Sequence, residues 1–361
     1  SGNCPTIFET WFTEPQKLIK AGAVADITDE LEARGWLDKM NPSVKALLSD
    51  ENGRVYGVPR DGYALGLMLN VEVFEEAGLV DENGYPIYPK TWDELAETAK
   101  TIKDKTGSAG ICLLAKDNAG GWHFSNIAWA FGATLCTDNG DGTFTAHLDS
   151  DEAIAAMEYV KSLKWDYDVL TADPTNEDWG TGFTELGTGA AAMYIAANDA
   201  VNQPTQVNGL PEDKLAMCPE GPGGQYSLYG GTPYMFSKDA TEDEINAALD
   251  YLEIMGKAPV VTDASIAGLE ADAKNRVDNG VPVIKPFPVW TDADYVAAQE
   301  KVVKEYNNVD EKMFESYFDA TSSAGLHTEE PGSTQDMYAE LTSVLQAVIT
   351  DKDADVPALM K

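Results

Sequence analysis

Positive charge is scarce in this sequence. Its 361 residues hold 25 Lys and Arg against 61 Asp and Glu, a formal net charge of −36. A field that negative repels phosphate, so a nucleic-acid backbone and an anionic bilayer are disfavoured partners. Histidine is scarce as well, with only His123, His147 and His327. No His-Glu-x-x-His, Gly-x-Ser-x-Gly or Gly-x-x-x-x-Gly-Lys-Ser/Thr occurs, which removes the common signatures of zinc peptidases, serine hydrolases and P-loop NTPases. The four cysteines, Cys4, Cys112, Cys136 and Cys218, lie far apart without a Cys-x-x-Cys. That argues against a zinc site or a redox pair, and buried free thiols are expected, with Cys112 and Cys136 open to pairing in an exported protein. No apolar run approaches the roughly 20 residues of a membrane-spanning helix. The opening residues Ser1-Gly2-Asn3-Cys4-Pro5 show no initiator Met, basic patch or apolar signal region, so any targeting segment is expected to have been removed or not included.

What is present is enough for a large core. Hydrophobic residues make up 43% and charged residues 24%, whereas disorder needs high net charge together with low hydrophobicity. The length suggests two domains. A strand, Thr6-Ile7-Phe8, leads into the loop Glu9-Thr10-Trp11-Phe12 and a helix opened by a capping box at Thr13-Glu14-Pro15-Gln16, with Gly22 as its stop. Further capping boxes stand at Thr91–Glu94 and Thr241–Glu244, the second ahead of Ile245, Ala248, Leu249 and Leu252 at helical spacing. Gly110–Leu114 and Ala190–Ile195 read as strands, Asp138-Asn139-Gly140-Asp141-Gly142 as the turn of a hairpin, and Asp151–Leu163 as a helix. Gly221-Pro222-Gly223-Gly224 and Gly230-Gly231 bracket a stretch expected to be flexible. The last third is mostly helical. Strands alternating with helices predict an α/β protein with largely parallel sheets. Gly187-Thr188-Gly189-Ala190-Ala191-Ala192 loosely matches a dinucleotide loop, but a strand follows it where a helix should, and no register of the Asp138–Gly142 turn meets the calcium-loop pattern. The residues call for neither a cofactor nor a metal.

The remaining signal is a set of aromatics beside polar residues in expected loops. Trp11-Phe12 precede Thr13-Glu14, Arg60-Asp61-Gly62-Tyr63 follow Pro59, and Trp122-His123 sit in a Gly-rich loop with Asn126 one turn on. Asn198-Asp199 follow the buried strand, and Tyr229-Gly230-Gly231 follow the Gly-rich stretch. Sugars present C–H faces that pack on rings and hydroxyls that need fixed donors and acceptors, so this set suits carbohydrate. A cationic solute such as a polyamine would suit it through cation–π contact and carboxylates. For each ring taken singly, partial core packing competes on even terms.

The order of motifs resembles the bacterial extracellular solute-binding proteins of the carbohydrate class, the maltose-binding-protein-like family. It is carried by Gly2-Asn3-Cys4-Pro5 before a strand, Ala21-Gly22 with Asp26-Ile27-Thr28, Val55-Tyr56-Gly57-Val58-Pro59 leading to Leu69-Asn70, and Phe74 with Ala77-Gly78. Thr91-Trp92-Asp93-Glu94-Leu95, Phe183 with Gly187 and Ala192-Met193, and Gly230-Gly231 before Ser237-Lys238 complete it. The resemblance implies a periplasmic-binding-protein-like fold of type II character: two α/β lobes, a ligand cleft between them and a hinge of three crossovers near Leu67–Val71, Thr232–Ser237 and Leu326–Gly332. It divides the chain into residues 1–68 plus 235–328 and residues 69–234 plus 329–361. It also implies delivery of a sugar to an ABC-type importer, with the membrane permease as partner, and a monomer without catalytic activity. Trp11, Phe12, Thr13, Glu14, Arg60, Asp61, Tyr63, Trp122, Asn126, Asn198, Asp199, Tyr229 and Gly231 become the ligand-contact candidates. Ala200 stands where many members place a stacking Trp, and the candidate substitutes are Asn198, Asp199 or a neighbouring aromatic such as Trp179. Family members begin with a βαβ unit ahead of the Pro5 position, which implies that this chain is a fragment of a longer lipoprotein anchored by an N-terminal lipid outside a Gram-positive membrane. The rival from another class is a glycoside hydrolase using two of Glu9, Glu14 and Asp61, which needs a carboxylate pair about 5 to 9.5 Å apart.

Overall fold

A computed structural model describes residues 4–220, 228–322 and 327–361. The Gly221–Gly224 stretch and Leu326 fall outside those residues. The chain forms two compact units, residues 1–63 with 229–308, and residues 64–228 with 309–361, so it passes between them at 63/64, 228/229 and 308/309.

The first segment carries β1 (Ile7–Glu9), α1 (Pro15–Lys20), α2 (Thr28–Ala33), α3 (Pro42–Leu47) and β2 (Gly57–Asn70). The expected capping box before α1 does not form. Glu14 is its N-cap, in a helical conformation and without a side-chain cap, and the Thr13 hydroxyl is buried without a partner. Residues 57–63 of β2 belong to the first unit, where β2 and β1 flank β8 (Tyr229–Phe236). Arg60-Asp61-Gly62-Tyr63 therefore lie in a strand, not a loop, because pairing along the sheet overrides the turn signals of Pro59 and Gly62.

The second segment supplies α4 (Val71–Ala77), α5 (Trp92–Thr106), β3 (Ala109–Cys112), α6 (Asp117–Ala130), β4 (Cys136–Asp138), β5 (Phe144–Ala146), α7 (Asp151–Trp165), α8 (Trp179–Gly187), β6 (Ala191–Ala197) and β7 (Leu215–Cys218). In the second unit β6 and β7 both pair with the far half of β2, Leu67 facing Ile195 on one side and Cys218 on the other. Both pairings are antiparallel, and β3 runs parallel to β6. The expectation of largely parallel sheets is thus corrected. Intervening helices force neither direction once the paired strands are not consecutive in the chain.

Trp122 and His123 lie on α6, not in a Gly-rich loop. A Cβ on Gly121 would stand 2.2 Å from the carbonyl oxygen of Tyr338, on the last long helix. These glycines permit close helix packing where the sequence suggested a loop. The wall of this unit is apolar throughout: Ala191 to Ala197 are all buried, as are Leu67, Met68, Leu69 and Phe74.

The chain returns to the first unit as β8 (Tyr229–Phe236), α9 (Glu242–Ile254), α10 (Asp263–Asp278) and α11 (Ala293–Tyr306). β8 pairs antiparallel with β1, Ile7 facing Phe236. Trp36 meets Trp290 edge to face at 6.4 Å in the core beneath. The chain finishes in the second unit with α12 (Lys312–Ser322), α13 (Thr334–Thr350) and α14 (Val356–Leu359). Residues 309–328 were expected in the first lobe, yet α12 belongs with the second unit. Tyr317 is fully buried there, and its hydroxyl donates to the Ala64 carbonyl at 2.7 Å.

All four cysteines are free; Cys112 and Cys218 are buried, Cys136 is half-buried and Cys4 is exposed. Among the described residues no helix is long and apolar enough to cross a membrane, and no group of three metal-ligating side chains occurs.

Candidate functional site

In the first unit the loop after β1 is laid along β8. The Thr10 amide donates to the Pro233 carbonyl at 3.3 Å and the Phe12 amide to that of Gly231 at 3.2 Å. This tether sends successive side chains opposite ways. Phe12 turns inward, buried against Tyr229 at 6.1 Å edge to face, whereas Trp11 is 70% exposed. Gly231 has no room for a side chain, since a Cβ would stand 2.4 Å from the Asp61 carbonyl oxygen and 2.7 Å from the Phe12 ring. Gly230 is pressed in the same way on Tyr63, 2.3 Å from its hydroxyl. Gly231 is therefore packed on Phe12 and Gly230 on Tyr63, while in the loop itself Trp11 is exposed and Glu14 half-buried.

Arg60 is held within the unit by three hydrogen bonds. It donates from Nε to Asp61 at 2.7 Å, from Nη1 to Glu9 at 2.9 Å and from Nη2 to the Thr232 hydroxyl at 3.4 Å. Asp61 in turn accepts from the Thr232 amide at 3.0 Å. Burial opposes the guanidinium charge, but Asp61 and then Glu9 outweigh it and hold the Arg60 pKa above its ordinary value. Tyr234, opposite Glu9 in the β1–β8 ladder, is pushed up to about 12, by burial and then by that carboxylate. Tyr229 is buried with its hydroxyl unpartnered, and burial raises its pKa too.

The second unit holds an aromatic cluster. Asp178 caps α8 through the Gly180 and Thr181 amides and is anchored by Lys116 at 2.8 Å, which fixes Trp179 at the first helical position. Trp179 meets Trp122 edge to face at 5.3 Å and Phe183 at 4.8 Å. The Tyr194 hydroxyl donates to the Trp179 carbonyl at 3.1 Å. Beneath them His123 stacks on Trp122 at 5.1 Å, and both of its ring nitrogens are buried without partners. Desolvation lowers its pKa to about 3, so the imidazole is neutral. Trp122 and Trp179 keep part of their rings exposed.

Two of the expected contacts serve the backbone. Asn126 is fully buried, donating to the Trp122 carbonyl at 3.2 Å and accepting from the Leu228 amide at 2.9 Å. Asn198 accepts from the Ala64 amide at 3.1 Å. Asp199 beside it is exposed. Sequence reasoning missed Glu220, which is buried with both carboxylate oxygens unpartnered and whose pKa desolvation drives well above its ordinary value. Its neighbours in sequence, Pro219 and Gly221, offered only a turn signal.

Each of the two units presents rings beside polar groups on a mixed α/β frame. The family model described as bacterial extracellular solute-binding protein matches residues 1–260, and the chain belongs to that family. A putative binding protein of Brucella abortus is 27% identical over 233 residues, 63% of this chain and 52% of the relative. The matched stretch spans about half the length of that curated relative. Among solved structures, an ABC transporter solute-binding protein from Thermotoga lettingae bound with α-D-tagatose is similar at a TM-score of 0.74 and 17% identity, over 99% of this chain and 82% of the other. UgpB from Mycobacterium tuberculosis in complex with glycerophosphocholine gives 0.74 and 17% over 100% and 82%. These likenesses establish the two-lobed binding-protein fold.

Proposed function

We propose that this chain is the extracellular solute receptor of an ABC-type importer and that its solute is an uncharged sugar or short oligosaccharide. The observation that carries the proposal is the combination of indoles, the exposed Trp11 in one unit and the half-buried Trp122 and Trp179 in the other, with a first-unit cation already neutralised from within. Indole faces suit the C–H faces of a pyranose, and Glu14 and Asp199 supply acceptors for hydroxyls. Arg60, held by Asp61 and Glu9, has no spare charge for a phosphate. Phe12, Tyr63, Tyr229 and Gly231 form the support behind Trp11, while Thr13 lies beside it in the same loop. Asn126 and Asn198 are positioning residues. On the family resemblance, the protein would be held outside the membrane by a lipid anchor.

The ion pairs around Arg60 support delivery over catalysis. A glycosidase needs a carboxyl placed to give a proton to the leaving group, whereas Glu9 and Asp61 are both engaged by the Arg60 guanidinium. Solute binding selects the conformation with the higher affinity, which gives a permease a state to recognise.

Calorimetric titration across neutral mono- and oligosaccharides, sugar phosphates and polyamines tests the reading. A neutral sugar should bind, and Trp11→Ala and Trp122→Ala should each weaken it by roughly 5- to 150-fold, about 1 to 3 kcal/mol for an aromatic face. Unchanged affinity in both variants, or release of reducing sugar from an oligosaccharide, would overturn it.

A further inference from the structure

Two buried asparagines of the second unit stand between its solute-contact candidates and the points where the chain leaves it. At the 63/64 crossing, β6 ends at Ala197, which faces Leu65 in the ladder with β2. The next residue, Asn198, continues that pairing with its side chain, whose Oδ1 accepts from the Ala64 amide at 3.1 Å. The Ala64 carbonyl accepts from the Tyr317 hydroxyl, so this boundary residue is held by both of its polar groups. At the 228/229 crossing, Leu228 donates its amide to Oδ1 of Asn126 at 2.9 Å, and its carbonyl accepts from the Leu65 amide at 3.0 Å. Asn126 reaches back one helical turn and donates through Nδ2 to the Trp122 carbonyl at 3.2 Å. Ala64, Leu65, Leu228 and both asparagines are buried, and a buried amide side chain bonded to backbone fixes that backbone in one geometry. One continuous path results: Trp122, Asn126, Leu228, Leu65, Ala64, Asn198. Its first end carries a half-buried indole, and Asp199, an exposed carboxylate, follows its last.

We propose that Asn126 and Asn198 are positioning residues that couple a solute held by Trp122 and Asp199 to the backbone at the 228/229 and 63/64 crossings. Resting on the sugar reading above, this role goes beyond it, because neither asparagine needs to touch the solute. A sugar stacked on Trp122 orders the α6 turn that carries Asn126, and with it the Leu228 amide. A sugar hydroxyl on Asp199 orders Asn198, and with it the Ala64 amide. Such coupling is a free energy, visible as a change at one position when the other is occupied.

Residue-resolved hydrogen exchange on the whole chain tests it, with and without a saturating neutral sugar, the tightest binder of the calorimetric titration. In the wild type the sugar should slow exchange at the Ala64 and Leu228 amides by roughly tenfold or more beyond its effect on the β3 amides, at the other end of the sheet. Asn198→Ala should remove that excess at Ala64, and Asn198→Asp, isosteric and still an acceptor, should restore it. Asn126→Ala should remove the excess at Leu228. A bond that only supports the fold would lower protection by the same factor with and without sugar and leave the excess in place. That result overturns the proposal, as does a wild type whose Ala64 and Leu228 amides respond no more than those of β3, and both leave the sugar reading standing. A wild type that binds no neutral sugar overturns the sugar reading itself, and this coupling with it.

Discussion

Glu220 and His123 share the second unit, both buried and both without hydrogen-bond partners, and they act on stability in opposite directions. The neutral His123 of the folded state, with its pKa near 3, binds fewer protons than the unfolded chain between pH 3 and the ordinary value of 6.5. Stability is therefore lost as pH falls through that window. Glu220 keeps its proton in the folded state above the ordinary 4.5, so the folded chain binds more protons there and stability is lost as pH rises. Each contributes a slope of about 1.4 kcal/mol per pH unit where it is active. Just above 4.5 the two slopes therefore oppose one another. Glu220→Gln should raise the melting temperature at pH 8 more than at pH 5, and His123→Phe should do the reverse; differential scanning calorimetry at both pH values checks the pair. Neither residue was legible as a stability determinant, because the sequence shows a Glu or a His and not what surrounds it. The aromatics were more legible. Trp11, Trp122 and Trp179 stand next to polar residues, and the structure leaves all three partly exposed, while Phe12, in the same dipeptide as Trp11, is turned inward by a tether that only β8 provides.

Among the elements, those fixed by local bonds were readable and those fixed by neighbours were not. The Thr241–Glu244 capping box forms with both of its reciprocal bonds, and Thr91 accepts from the Glu94 amide at 3.1 Å, because each needs only four consecutive residues. Thr241→Ala should destabilise by about 1 kcal/mol in chemical unfolding. The same pattern at Thr13 failed, since the tethered Trp11–Phe12 loop enters α1 one residue later. Gly120 and Gly121 looked like a loop until α13 was in place: a Cβ on Gly120 would sit 2.9 Å from the Thr342 hydroxyl. Gly121→Ala, aimed at backbone rather than at a movable side chain, should cost about 1 to 3 kcal/mol as overpacking, whereas Gly53→Ala, with open space around it but φ +77, should cost about 1 kcal/mol through backbone strain alone. Equal losses in the two variants would contradict the packing role given to Gly121.

For the whole molecule, the family and the two-unit plan were legible from motif order, but the destination of residues 309–328 was not. Helix α12 is amphipathic and would pack on either sheet; Tyr317, pressed within 2.5 Å of where a Cβ on Gly66 would stand, ties it to the second unit. A net charge of −36 loads the folded chain with self-repulsion that salt screens within about 10 Å at 0.1 M. The melting temperature should rise by several degrees between 20 and 300 mM NaCl, while affinity for an uncharged sugar stays level. Affinity that falls steeply with salt would point to a charged solute instead.

The division between units falls inside a single strand, between Tyr63 and Ala64 of β2. Its fourteen residues thus form a built-in ruler for cooperativity. In native-state hydrogen exchange, the amides of 57–63 report the opening of one unit and those of 64–70 the opening of the other. One protection step along β2 would mean that the protein unfolds as a single body, and two steps would mean that a receptor can lose one lobe and keep the other.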